Sequence, residues 1–139
     1  MECIFCQIIA GVLPSYKVFE DEQTIAFLDI HPVNHGHILV LPKLHFSRMS
    51  EMDFSLGAKV FNTVMRIHSA VAKSGCSGTN ILQNNGKVAG QEIEHVHFHI
   101  IPRFNNDNFR LKFRSVPATE EMLKYSQSYY IKALDNEPK

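Results

Sequence analysis

The sequence predicts an α+β domain built on an antiparallel sheet of about five strands, with one long helix and a further helix near the C-terminus. Three observations carry that expectation. Short apolar bursts alternate with turn-forming clusters, the strand signature. One long stretch from Phe54 repeats its apolar residues at helical spacing. The strand-like segments follow one another through short connections, which suit hairpins, while the helical segments stand apart from them. The 139 residues fit a single domain burying roughly two-thirds of its unfolded surface.

Taken in order, "CIFCQIIAG" (Cys3–Gly11) reads as a short helical turn ended by Gly11. "YKVFED" (Tyr16–Asp21) reads as a strand and "TIAFLDI" (Thr24–Ile30) as a second, mostly buried one. "HPVNHG" (His31–Gly36) supplies turn residues, and "HILVLP" (His37–Pro42) a third strand. Ser50 and Asp53 resemble a capping box. Phe54, Val60, Phe61, Val64, Ile67, His68 and Val71 then recur at helical spacing to about Lys73, and Gly75 and Gly78 close the helix. "TNILQN" (Thr79–Asn84) is a strand and "NGKVAG" (Asn85–Gly90) a Gly-rich turn. A fifth strand runs through "HVHFHII" to Pro102, and Ala118–Leu134 reads as the last helix.

Composition excludes several classes. Lys+Arg and Asp+Glu balance at 14 each, so no basic field argues for nucleic acid. No apolar run reaches membrane-spanning length and no signal peptide is evident, which predicts a cytoplasmic protein with no membrane partner. Three cysteines are an odd count for a disulfide framework, so metal ligation or free thiols are expected instead.

The chemistry concentrates at "GQEIEHVHFHIIPRF" (Gly90–Phe104). On a strand, alternate side chains share a face. Val96, Phe98 and Ile100 then face a core, and His95, His97 and His99 line the other side together with Gln91 and Ile93. Three readings stand open. The histidines could be a solvated sheet face. They could hold one metal, although a strand rise of about 3.3 Å per residue sets the first and third Cα atoms roughly 13 Å apart. Or they could be catalytic, since imidazole with a pKa near about 6.5 is a good nucleophile toward phosphorus at neutral pH.

The run His95-Val96-His97-Phe98-His99-Ile100-Ile101 resembles the motif of the histidine triad (HIT) family. "FLDIHPVNHGHILVLPKLH" (Phe27–His45) resembles the family's upstream signature, and "NNGKVAGQEIEHVHFHIIPRF" its bacterial and Fhit-like branch. The likeness covers about residues 3–109 and leaves the helical tail, about 117–135, outside it. It implies a HIT-like fold and a nucleotidyl hydrolase or transferase. The bond cleaved lies at the α-phosphate of a purine nucleotide conjugate, such as a phosphoramidate or dinucleoside polyphosphate. The alternative is a zinc-stabilised nucleotide-binding module with little turnover.

By the resemblance His97 attacks phosphorus and becomes covalently nucleotidylated, His99 hydrogen-bonds the phosphate or the bridging atom, and His37 packs behind the triad and orients it. Asp29 holds the ribose hydroxyls, although it also reads as a turn acceptor before His31-Pro32. Asn84 and Gln91 contact the α-phosphate. Phe5, Ile8, Phe27 and Ile30 line the base pocket, although each also reads as ordinary core. Glu92 departs from the Ser or Thr that several relatives carry after the Gln, and so bears on the leaving group. No redox cofactor is implied, and a homodimer is.

Cys3-x-x-Cys6 is half of a zinc site or a redox pair. A subset of the family binds structural zinc through such a pair, the His after Pro-Lys and the first triad histidine; here these are Cys3, Cys6, His45 and His95. Cys76 reads as a free thiol, His68 as a core or boundary histidine, and His31 and His35 as turn residues.

Overall fold

The computed structural model describes residues 3–138. The chain divides into two units, one ending at Phe109 and one beginning at Arg110. The first opens with helix α1 (Ile4–Ile9), whose backbone leaves helical geometry where Gly11 takes φ +74. Strands β1 (Lys17–Glu20), β2 (Thr24–Leu28) and β3 (Ile38–Pro42) follow. Helix α2 (Phe54–Ala72), β4 (Gly78–Gln83) and β5 (Phe98–Arg103) complete the unit. The sheet is antiparallel in every pairing, in the order β1-β2-β3-β5-β4, so the last strand inserts between its two predecessors and β4 lies at an edge.

Two clusters sandwich this sheet. Ala26, Val40, Phe98 and Ile100 point one way, with Val96 just ahead of the last strand, and meet Leu56, Val60, Val64, Ile67 and Val71 of α2. On the opposite face Ile25, Phe27, Leu39 and Leu41 pack with Phe5 of α1. Register explains the sorting: Phe27 pairs Leu39, Leu39 pairs His99, and His99 pairs Leu82, so all four share the α1 face. The histidine side is therefore a covered surface, not a solvated one; His95 and His97 are 0% and 7% exposed.

Three local expectations change. The cap of α2 is Asp53, which accepts from the Leu56 N–H at 2.8 Å, while Ser50 belongs to a preceding 3₁₀ turn; an aspartate directly before the helix outcompetes a box begun three residues earlier. Phe54 and Phe61 lie on the exposed side of α2, at 62% and 51%. Leu56 and Met52 fill the core instead, because the buried stripe runs Leu56-Val60-Val64-Ile67-Val71. The ladder of β5 begins only at Phe98 and continues through Pro102 to Arg103, so of the triad only His99 is a strand residue. His95 and His97 stand on the extended approach, anchored where the Val96 N–H donates to the Phe46 carbonyl.

The second unit carries helix α3 (Glu120–Asp135), capped by the Thr119 hydroxyl, which accepts from the Met122 N–H.

Candidate active site

The row of residues that faces α1 opens onto a cavity of about 700 Å³. Its walls include Phe5 and Ile8 from α1, Phe27 and Leu39 from adjacent strands, and Asp29 and Ile30 just past β2. His37, His97, His99, Asn84 and Glu92 also line it. Thus most of the predicted site residues converge on one space. Gln91 does not line it. Its side-chain oxygen accepts from the Gly86 N–H at 2.6 Å, and its amide donates to the Ser47 and Ile93 carbonyls at 2.7 and 3.2 Å. With both polar ends engaged and 4% exposure, Gln91 braces the loop that carries Asn84. Asn84 is held in turn by its own bond to the Gly90 carbonyl, and Gly90, at φ +89, provides the left-handed turn that returns the chain to the histidines.

Backbone partners fix the tautomer of each ring, because a carbonyl can only accept and an amide N–H can only donate. The His95 carbonyl lies 2.6 Å from His97 Nδ1, so that nitrogen carries the proton and Nε2 keeps a free lone pair. The Val33 N–H donates to His37 Nδ1 at 3.1 Å, so the proton of the neutral His37 ring sits on Nε2. That N–H donates to His99 Nδ1 at 2.9 Å, which leaves the His99 proton on Nε2. The His97 and His99 rings stand 4.9 Å apart, edge to face. A bare imidazole nitrogen therefore stands beside an imidazole N–H donor, the pairing that attack on phosphorus and stabilisation of a phosphoryl oxygen both need.

Burial pushes His97 below the ordinary imidazole range, against the pull of the His95 carbonyl and of the Asp29 and Glu92 carboxylates. Burial likewise lowers His37, and it lowers His99 to about 4 with help from His97 and His37. All three are neutral at pH 7. One consequence is measurable. Unfolded His99 protonates near about pH 6.5 and folded His99 only near 4, so its contribution to stability is full above 6.5 and is lost progressively as the pH falls toward 4. The loss is on the order of 3 kcal/mol. Denaturant unfolding of His99→Asn between pH 7 and pH 4 is expected to show a shallower acid decline than wild type; an identical decline would assign the acid sensitivity to other groups.

Asp29 is the turn acceptor before His31-Pro32, with its second oxygen on the cavity wall. One oxygen accepts from the His31 N–H at 2.8 Å, closing the turn, and the other lies 3.6 Å from His37 Nε2 at the cavity wall. Phe5 connects the walls: its ring packs edge-on against Phe27 at 5.6 Å, His95 at 5.9 Å and His97 at 5.1 Å.

His95 turns away from this cavity. Its Nε2–H donates to the Pro42 carbonyl at 2.8 Å, leaving Nδ1 bare, 3.5 and 3.6 Å from Cys3 and Cys6 Sγ. His45 Nδ1 lies 3.4 Å from Cys6 Sγ, and all four ligand atoms fall within 4.8 Å of one another. A tetrahedron with metal bonds of about 2.1–2.3 Å has edges near about 3.6 Å, so the spacing fits zinc, and the carbonyl that fixes His95 is the outer-shell partner such ligands need. The cysteines are free thiols. The triad thus divides by orientation, one ring toward the sulfurs and two toward the cavity.

The groups that fix these tautomers were invisible to motif reading, because they are the backbone atoms of Val33, Pro42 and His95. Leu39, Leu82, Ile101 and Phe109 were also missed as lining residues. Strand parity carried a signal for Leu39 and Leu82, which flank His99 in register.

An antiparallel sheet with this triad on its α1 face defines a known class. The HIT domain family model matches residues 10–106. The chain belongs to the HIT domain family and is one of its hydrolases. It is 40% identical over 125 residues to the adenosine 5′-monophosphoramidase of Schizosaccharomyces pombe, covering 89% of this chain and 92% of that one. The fold superimposes on the crystal structure of a HIT family member from Bacillus subtilis with a TM-score of 0.89 and 40% identity, over 95% of this chain and 96% of that one. It also matches a zinc-bound histidine triad family protein from Mycobacterium smegmatis at a TM-score of 0.73 and 35% identity, over 99% of both chains. Among the described residues no helix is long and apolar enough to cross a membrane.

Proposed function

We propose that the protein hydrolyses purine nucleotide conjugates at the α-phosphorus through a covalent nucleotidyl-His97, and that phosphoramidates are its preferred substrates. The observation that carries the mechanism is the tautomer pattern. His97 Nε2 is bare on a ring lining the cavity, and the neighbouring His99 Nε2–H is a donor for a phosphoryl oxygen. His37 acts behind His99, holding its tautomer. Phe5, Ile8, Phe27 and Ile30 form the base pocket, and Asn84 meets the phosphate from the facing loop. Gln91 supports that loop rather than the phosphate itself.

The choice of leaving group rests on charge. Among the described residues the cavity wall contains the carboxylates of Asp29 and Glu92 and no Lys or Arg. A polyphosphate leaving group would arrive with several uncompensated negative charges, whereas a bridging nitrogen that takes a proton from solvent is attracted by Glu92 and leaves as a neutral amine. The similarity to a yeast monophosphoramidase agrees with this. A panel of adenosine 5′-phosphoramidate, adenylyl sulfate and diadenosine polyphosphate should give the highest kcat/KM for the phosphoramidate. A higher value for the polyphosphate would overturn the substrate assignment.

Asp29 is assigned to the ribose hydroxyls through the oxygen not held by the His31 N–H. A charge-assisted hydrogen bond contributes roughly 1.5–3 kcal/mol. Asp29→Ala should therefore weaken ribonucleotide binding by about tenfold or more and bring the ribo/deoxy affinity ratio close to one. An unchanged ratio in calorimetric titrations would remove the assignment.

Zinc at Cys3, Cys6, His45 and His95 completes this reading as a structural ion. A two-sulfur, two-imidazole set fills all four positions and leaves none for a catalytic water. A homodimer is also part of the proposal. The edge strand β4 exposes Ile81 and the outer side of α2 exposes Phe61 and Met65, apolar side chains of the kind that two-fold partners cover.

A further inference from the structure

We propose that Cys3 and Cys6 close a reversible disulfide when the protein meets a peroxide, and that closure releases the structural ion and unseats the Phe5 wall of the nucleotide pocket. The inference rests on the zinc reading above and adds to it a chemical modification with a consequence at the cavity.

The observation is a redox-capable pair placed astride a ring that two sites share. Cys3 is the N-cap of α1 and Cys6 lies in its first turn. The Gln7 N–H donates to the Cys3 carbonyl at 3.1 Å and the Ala10 N–H to the Cys6 carbonyl at 2.9 Å, so helical bonding begins at the first cysteine. Residues three apart at a helix start share a face, and their Cα atoms stand about 5 Å apart, inside the roughly 4.4–6.8 Å that a disulfide spans. Both sulfurs already converge on His95 Nδ1, at 3.5 and 3.6 Å, and lie within 4.8 Å of each other. Side-chain rotation is enough to join them. The cluster is also reachable, because Cys3 and Cys6 are half-buried and His45 is exposed. Cys76 does not compete. Its thiol donates to the Val71 carbonyl at 3.4 Å, and it packs with the cluster on the α2 side of the sheet.

Phe5 carries the consequence. It stands between the two cysteines on α1, its ring meets His97 at 5.1 Å and Phe27 at 5.6 Å, and with Ile8 it lines the cavity. As metal ligands, Cys3 and Cys6 tie α1 to His45 and to His95. As a disulfide they hold only each other, and α1 keeps only its apolar contacts to the sheet. Both sulfurs are thiolates when they hold a metal. One thiolate attacks a peroxide oxygen: the S–O bond forms, the O–O bond breaks and hydroxide leaves, giving a sulfenic acid. The second thiolate attacks that sulfur: the S–S bond forms, the S–O bond breaks and a second hydroxide leaves. Two electrons pass from the sulfurs to the peroxide, solvent protonates both hydroxides to water, and the zinc ion departs with its charge unchanged. A thiol reductant reverses the linkage by exchange.

The test treats reduced, zinc-loaded wild type and Cys76→Ser with graded hydrogen peroxide. Released zinc is read with a chromogenic chelator, the linkage by peptide mass analysis, and the affinity for AMP by calorimetry. Zinc release and a Cys3–Cys6 linked peptide should rise together in both proteins. AMP affinity should weaken about tenfold, the scale of losing one aromatic wall, and return with a thiol reductant and zinc. In Phe5→Ala, where that wall is already gone, peroxide should still link the cysteines and release zinc but change AMP affinity little. Far-ultraviolet circular dichroism of the oxidised protein should keep the sheet signal, which separates a loosened helix from general unfolding. Linkage through Cys76, irreversible sulfinic acids, a lost sheet signal, or a Cys3–Cys6 disulfide with unchanged AMP affinity would each overturn the switch. The zinc content of the reduced protein separates this from the reading it rests on: an ion bound and retained through peroxide treatment sinks the switch alone, and a protein that takes up no zinc sinks both.

Discussion

His97→Ala is expected to abolish turnover of the best substrate while nucleotide binding stays within about tenfold of wild type, or about 1.4 kcal/mol. The asymmetry follows from the structure. The ring makes few contacts that a bound nucleotide would share, since its Nδ1 is committed to the His95 carbonyl and its edge to Phe5. What the substitution removes is the lone pair on Nε2, an interaction that exists only along the reaction coordinate. The result to look for is a kcat at the detection limit with a nucleotide Kd little changed. Near-wild-type kcat in this variant would show that the nucleophile lies elsewhere. A parallel loss of binding would show that the ring holds the substrate in the ground state.

The second large effect is expected at the sulfur–imidazole cluster. Protein purified without added metal should contain about one zinc per chain, and Cys3→Ser with Cys6→Ser should lose it. Ligands drawn from the start of the chain, from His45 and from His95 meet only in the folded state, so metal binding is folding energy. Losing it should cost several kcal/mol and lower Tm on the order of 10 °C. The chemical step should remain measurable, because no cluster atom lines the cavity. It should still slow, because Phe5 stands between Cys3 and Cys6 on α1 and packs on both His95 and His97. Metal-free wild-type protein with the same Tm as the double variant would remove the zinc site. Metal bound through His97 would overturn the catalytic scheme as well, since a coordinated nitrogen cannot attack phosphorus.

Much of this molecule was legible in its sequence, and the limits have physical causes. The period-two histidines announced a display of rings on one side of the chain; only His99 is held in the sheet itself, and His97 joins it at the cavity while His95 turns to the sulfurs. Parity failed outside the strand, where it stops applying: Gln91 shares the parity of the triad but sits in the irregular stretch after Gly90, and its amide is drawn to backbone groups of neighbouring loops. Helical spacing found α2 but missorted Phe54 and Phe61, because spacing gives the periodicity of a face before it says which flank of the stripe meets the sheet. The separation of His95 from its two neighbours was foreshadowed by strand rise, which makes three histidines too long a row for one ion. The identity of the partner ligands came through family resemblance, not spacing. The tautomers could not be read at all. They depend on which carbonyl or amide lies behind each ring, and backbone groups leave no trace in a sequence.

The central claim is that His97 becomes covalently nucleotidylated. The most direct measurement is a rapid-quench single-turnover reaction with enzyme in excess over an adenosine 5′-phosphoramidate, followed by peptide mass analysis under conditions that preserve phosphorus–imidazole bonds. A nucleotidyl adduct should appear on the peptide carrying His97 before free nucleotide, decay as nucleotide accumulates, and be absent in His97→Ala. Complete turnover with no adduct at any quench time, or an adduct on a different residue, would contradict the account.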